Sequence, residues 1–196
     1  MEVRIATESD LDGITETLAS AFASDPLWGW AFPERDALEA WWRLFVSSAL
    51  RYPWVSIADD YAAASVWIPP GGSELTDEEE AALAPLLGEL IGERAPAVLE
   101  LLERFDSSHP GDPPHYYLSL LGTHPDLRGR GIGMSLLAEN LSRIDAEEAP
   151  SFLESSNSAN DHRYEALGFV RVGEFKRPDD GATVSTMWRD APTRRP

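Results

Sequence analysis

Leu120-Leu121-Gly122-Thr123-His124-Pro125-Asp126-Leu127-Arg128-Gly129-Arg130-Gly131-Ile132-Gly133 is the stretch that decides how this chain folds. An apolar strand runs to Gly122, a turn rich in Pro, Gly and Arg follows, and a helix opens at Gly131. Glycine at 129, 131 and 133 removes side chains that would keep an anion from the backbone. The first N–H groups of a helix lack partners within it, and its dipole is positive at that end. Arg128 and Arg130 add charge where a diphosphate would sit. The Gly-Lys-Ser/Thr ending of a P-loop is missing, and the turn comes too late in the chain for the first turn of a dinucleotide fold. A tight turn with surface arginines would use the same residues, so the surroundings must decide.

Upstream, residues 3–6 alternate like a strand. Thr7 with Asp10 makes an acidic helix-opening box before an apolar stripe of Leu11, Ile14, Leu18, Ala21 and Phe22. Asp25-Pro26 stops that helix, and an aromatic stretch (Trp28, Trp30, Phe32) precedes a helix over about 36–51. Residues 54–58 and 62–68 form a hairpin about Asp59-Asp60, and residues 69–72 break the chain. Thr76 caps a helix, broken at Pro85 and Pro96, that runs to about 105. Downstream come a strand over 115–122, a helix over 131–148, a strand over 152–154, a short helix over 159–167, and an antiparallel pair at 170–175 and 183–188. One domain is expected over 1–190, with 191–196 a frayed tail and 74–106 a helical insert that could act as a lid.

The 196 residues are 43% apolar, enough to bury one core. With no cysteine, disulfides, thiolate metal sites and a cysteine nucleophile are excluded, and a reducing cytoplasm is the expected location. No apolar window is long enough to span a bilayer, and the start does not resemble a signal peptide. Sixteen basic against 34 acidic residues give a net charge of −18, which repels nucleic acid and anionic lipid alike. Such a surface suits cationic small molecules or basic peptides, or serves solubility alone. The four histidines have no metal-ligand spacing, so no metal is expected.

Two motifs in order resemble the Gcn5-related N-acetyltransferase family, GNAT. Its Arg/Gln-x-x-Gly-x-Gly/Ala signature is matched by Arg128, Gly131 and Gly133 after an apolar strand. Its second block is matched by Phe152-Leu153-Glu154, Asn160, Tyr164 and Gly168-Phe169. The opening strand and helix fit as well, so the resemblance covers nearly the whole chain. Within the family the arrangement is most similar to puromycin N-acetyltransferase-like actinobacterial enzymes. Thr123 departs from the pattern, which has an aliphatic residue there.

The resemblance implies an α/β fold, with a mixed, mostly antiparallel sheet splayed between two parallel strands and flanked by helices. It implies acetyl-CoA as cosubstrate, gripped by Leu121, Gly122, Thr123, Arg128, Gly129, Arg130, Gly131, Ile132, Gly133, Met134, Asn160 and Tyr164. Tyr164 would protonate the departing thiolate. For the general base, Glu154 is the leading candidate and His115 the fallback. Trp28, Phe32 and His115 are expected at the acceptor, a small and cationic amine. His124 is expected to be structural or solvent-facing rather than catalytic. The rivals are acetylation of peptide N-termini or lysines, a non-catalytic acyl-CoA sensor, and, more distantly, a GTP or NAD enzyme. The family is often dimeric, which leaves a homodimer open.

Overall fold

One mixed sheet takes seven strands in the order β1-β2-β3-β4-β5-β7-β6 in the computed structural model, which describes residues 1–192. The strands are β1 (Val3–Ile5), β2 (Val55–Ala58), β3 (Ala63–Ile68), β4 (Tyr116–Thr123), β5 (Ser151–Ser155), β6 (Val170–Lys176) and β7 (Thr183–Arg189). Every neighbouring pair is antiparallel except β4 and β5. The expected mixed sheet with one parallel pair is therefore present. Of the expected tail, residues 193–196 lie outside the described part.

The parallel pair opens. Its partners run from Tyr116↔Ser151 to Leu118↔Leu153 and stop there, although β4 continues to Thr123. On the other side of β4, Trp67 pairs with Leu118 and Val66 with Leu120, so Ser119 is an extra residue in the ladder. A bulge of this kind bends its strand, and here it falls at the point where β4 and β5 part.

Helices cover both faces. On one face, α1 (Leu11–Phe22) and α3 (Arg35–Ala49) bury Ile14, Leu18, Trp41 and Trp42 with Phe32 against the sheet. On the other, α7 (Ile132–Ala146) inserts Leu137, Leu141 and Ile144 beside Trp67, Leu153 and Met187. A polar bolt fixes α7: buried Asn140 Oδ1 accepts from Ser65 Oγ at 2.7 Å and Trp67 Nε1 at 3.1 Å, while Nδ2 donates to Ser56 Oγ at 3.2 Å. Satisfied buried networks of this type hold one packing arrangement, and this one sets the start of α7 beside the end of β4.

The aromatic stretch contains a short helix, α2 (Trp28–Ala31), which its sequence had not suggested. The insert forms α4 (Asp77–Ala81), α5 (Leu83–Ile91) and α6 (Ala95–Ser108). Pro85 and Pro96 do not break these helices. They sit in the first turns of α5 and α6, where proline's missing N–H has no intrahelical partner to lose. The breaks fall at Ala82 and at Gly92, which has φ +54°. Last comes α8 (Asp161–Glu165).

The expected box at Thr7 extends into a larger anchor. Asp10 Oδ2 accepts from Thr7 N at 2.8 Å and from Arg4 Nη1 at 2.8 Å, and Oδ1 accepts from Tyr61 OH at 2.7 Å and Arg4 Nη2 at 2.5 Å. Tyr61 reaches it from a turn in which Asp59, Asp60 and Tyr61 all have positive φ. Such a run in non-glycine residues costs energy and persists because its surroundings hold it.

Candidate active site

The gap between β4 and β5 is a cleft of about 580 Å³. Tyr117, Ser119, Leu121 and Thr123 line it from β4, where half-exposed residues alternate with buried ones. At the outer end Gly129, Gly131, Ile132, Gly133 and Met134 form its wall, and Gly122, Asn160 and Tyr164 also line it.

Gly131 caps α7 with φ +77°, a left-handed geometry that an L side chain adopts only at a cost. A Cβ at Gly133 would lie 2.4 Å from Thr123 Oγ1, so glycine there lets β4 approach the helix start. Thr123, the departure from the family pattern, is the residue that makes this contact. The turn thus leaves the first N–H groups of a 15-residue helix beside an open cleft, which suits a diphosphate.

The two arginines of the turn are placed differently. Arg128 lines the cleft, but its Nη2 donates to Ala21 O at 2.5 Å, bracing a carbonyl in the last turn of α1. Arg130 is exposed and lies outside the cleft lining. At this end the cleft is therefore faced by the start of α7 and by Arg128, and not by Arg130.

At the inner end, β5 presents Glu154. Its side chain is only 2% exposed, and among the described residues neither carboxylate oxygen has a hydrogen-bond partner. His109 Nδ1 stands 3.6 Å from Oε1. Burial pushes the Glu154 carboxyl above the usual range, although His109 opposes the shift. Glu74 joins it from the loop after β3 and accepts a hydrogen bond from Ser119 Oγ at the bulge. Burial raises the Glu74 carboxyl to about 7, opposed by the Ser119 hydroxyl and reinforced by Glu154. Tyr117 lies between these acids, and burial first, then their charge, holds its phenol well above the ordinary value.

Tyr164 comes from α8 and lines the middle of the cleft. Burial, then Asp25 and Asp161, push its phenol up to about 12, so it keeps its proton at neutral pH. Asp25 ties this wall to α2: it accepts from Leu27 N at 2.9 Å, Trp28 N at 3.0 Å and Ser156 Oγ at 2.8 Å. Trp28 lines the cleft and stacks on Phe105 with ring centroids 5.7 Å apart.

Two residues expected at the acceptor do not line this cleft. Phe32 is 1% exposed and packed on Trp41 at 5.0 Å, because α2 turns that ring into the core. His115 precedes β4 rather than starting it. It is buried among Phe152 and Trp188, with Nδ1 2.8 Å from Pro113 O and Nε2 3.2 Å from His109 Nε2. Burial lowers its pKa. His124 caps a one-turn 3-10 helix (Pro125–Leu127), in keeping with a structural role. Glu74, Asp106, His109, Tyr117 and Ser119 were not read as site residues from the sequence. Tyr117 and Ser119 were legible by two-residue alternation back from Leu121; the other three sit in or beside the insert, and no periodicity marks them.

Residues 108–189 match the family described as the acetyltransferase (GNAT) domain. Those residues carry a GNAT acetyltransferase domain. It is an acetyl-CoA-dependent N-acetyltransferase. Among solved structures, it is similar to a histone acetyltransferase and related acetyltransferase from Corynebacterium glutamicum ATCC 13032, with 24% identity, TM-score 0.67, and coverage of 99% of this chain and 98% of that one. It is also similar to a Drosophila melanogaster polyamine N-acetyltransferase that catalyses formation of N-acetylagmatine (19%, TM-score 0.67, 96% and 99% covered). A third is arylalkylamine N-acetyltransferase 2 from Aedes aegypti (15%, TM-score 0.71, 97% and 99% covered). At such identities these likenesses establish the fold. Among the described residues no helix is long and apolar enough to cross a membrane.

Proposed function

We propose that this GNAT enzyme acetylates a primary amine on a small cationic molecule by direct attack on the thioester. The observation that carries this reading is the unpartnered, buried carboxylate of Glu154 at the inner end of the cleft. The amine nitrogen attacks the thioester carbon and Glu154 takes the proton it must lose. The tetrahedral intermediate collapses by breaking the C–S bond, and Tyr164 protonates the thiolate. A carboxyl raised by burial is a stronger base than one in water, and a phenol held near 12 still carries its proton at neutral pH. Holding the reactants together supplies much of the acceleration.

The α7 start and Asn160 support binding of the CoA end, and Trp28 gives the cleft an aromatic wall. Small-amine acetylation is also what the names of the Drosophila and Aedes neighbours state of those proteins. A cytoplasmic setting fits the cysteine-free composition. The puromycin-type arrangement stays a likeness of the insert and the second block, without its substrate. The test is thiol release from acetyl-CoA across small amines and short basic peptides. Turnover with small amines supports the proposal, and turnover with peptides alone replaces it by protein acetylation.

A further inference from the structure

A second cavity of about 400 Å³ meets the cleft at Glu74, Asp106, Tyr117 and Glu154. Beyond Glu154, its residues have no part in the chemistry proposed above. Three carboxylates line it, those of Glu74, Asp106 and Glu154, with His109 and His115 and, among the described residues, neither arginine nor lysine. Between them the wall is apolar, from Ile68, Pro69, Pro110 and Pro114.

A group of acids alone would be a solvated surface. Glu154 makes this one different, because it is buried at the junction with both oxygens lacking a hydrogen-bond partner. A buried carboxylate in that condition is costly unless a donor or cation comes to it. Glu74 is fixed at the same junction by the Ser119 hydroxyl, and Asp106 projects from the last turn of α6 as an exposed side chain. The combination offers one buried acceptor beside the cleft, an apolar stretch, and two further carboxyl groups.

We propose that the second cavity is the acceptor site and that it selects an aliphatic diamine. One nitrogen reaches the thioester past Glu154, the methylene chain lies on the Ile68 and proline wall, and the far ammonium pairs with Glu74 and Asp106. This rests on the chain being a small-amine acetyltransferase and narrows its substrate class.

The experiment compares kcat/KM for short α,ω-diamines with that for n-alkylamines and arylalkylamines of similar length. It is run on the wild type, Asp106→Asn and Glu74→Gln, with circular dichroism and CoA binding to show that both variants fold. Diamines are expected to lead by about tenfold or more, and each variant to lower the diamine-to-monoamine ratio about tenfold. Monoamines as good as diamines, or a ratio that either variant leaves unchanged, would overturn the diamine site while small-amine acetylation stands. No turnover with any amine of the three series would overturn both.

Discussion

Asp10 and Glu154 are both buried carboxylates, and they are built in opposite ways. Asp10 has its oxygens filled by Arg4, the Thr7 amide and the Tyr61 hydroxyl. Its pKa is held far below the usual range, with the Arg4 hydrogen bonds the largest cause and burial opposing. Glu154 has neither oxygen filled, and burial moves its pKa the other way. The first ties β1 and α1 to the hairpin turn. The second has His109 nearby, 3.6 Å from Oε1, and keeps both oxygens open toward the cleft. On the proposed role of Glu154, a carboxylate's hydrogen-bond complement separates a structural acid from a functional one where burial alone does not.

Removing each acid should split activity from stability. Glu154→Gln is expected to lower kcat by about two to four orders of magnitude while the melting temperature stays level or rises. An active variant would remove Glu154 from proton transfer. Asp10→Ala should do the reverse and cost about 2–4 kcal/mol in denaturant unfolding, discounted because Arg4 is half-exposed. Asp10 stabilises the fold above the ordinary carboxylate pKa, and that contribution is lost progressively as pH falls below about 4 toward its depressed value. A variant with wild-type acid sensitivity would break the contrast.

Two smaller effects sharpen it. Tyr164→Phe should lower kcat by about tenfold to a hundredfold, less than Glu154→Gln because a thiolate leaves with little help. Pre-steady-state thiol release would read this directly. Glu74 titrates near 7, above its unfolded value, so its contribution is present at low pH and lost as pH rises through 7. Glu74→Gln should therefore gain on the wild type between pH 5 and pH 8 in thermal unfolding, by at most about 3 kcal/mol. A pH-independent difference would mean that Glu74 ionises as it does in water.

The segment from Leu120 to Gly133 determined the fold family without tertiary help, because a strand, a glycine turn and a helix start are set by neighbours in sequence. The same holds for Thr7 with Asp10 and for Asn160 and Tyr164, whose spacing is local. Glu154 was also legible as the acid on β5, though its lack of partners was not.

The tertiary structure decided what depends on distant chain. It turned Phe32 inward on Trp41, spent Arg128 on Ala21, and sent His115 to the second cavity. It also brought Glu74 and Asp106, at either end of the helical insert, to one junction with Glu154. Periodicity says which face of an element is buried. It does not say which loop will cover that face, and the acids of this site are held by loops and helix ends.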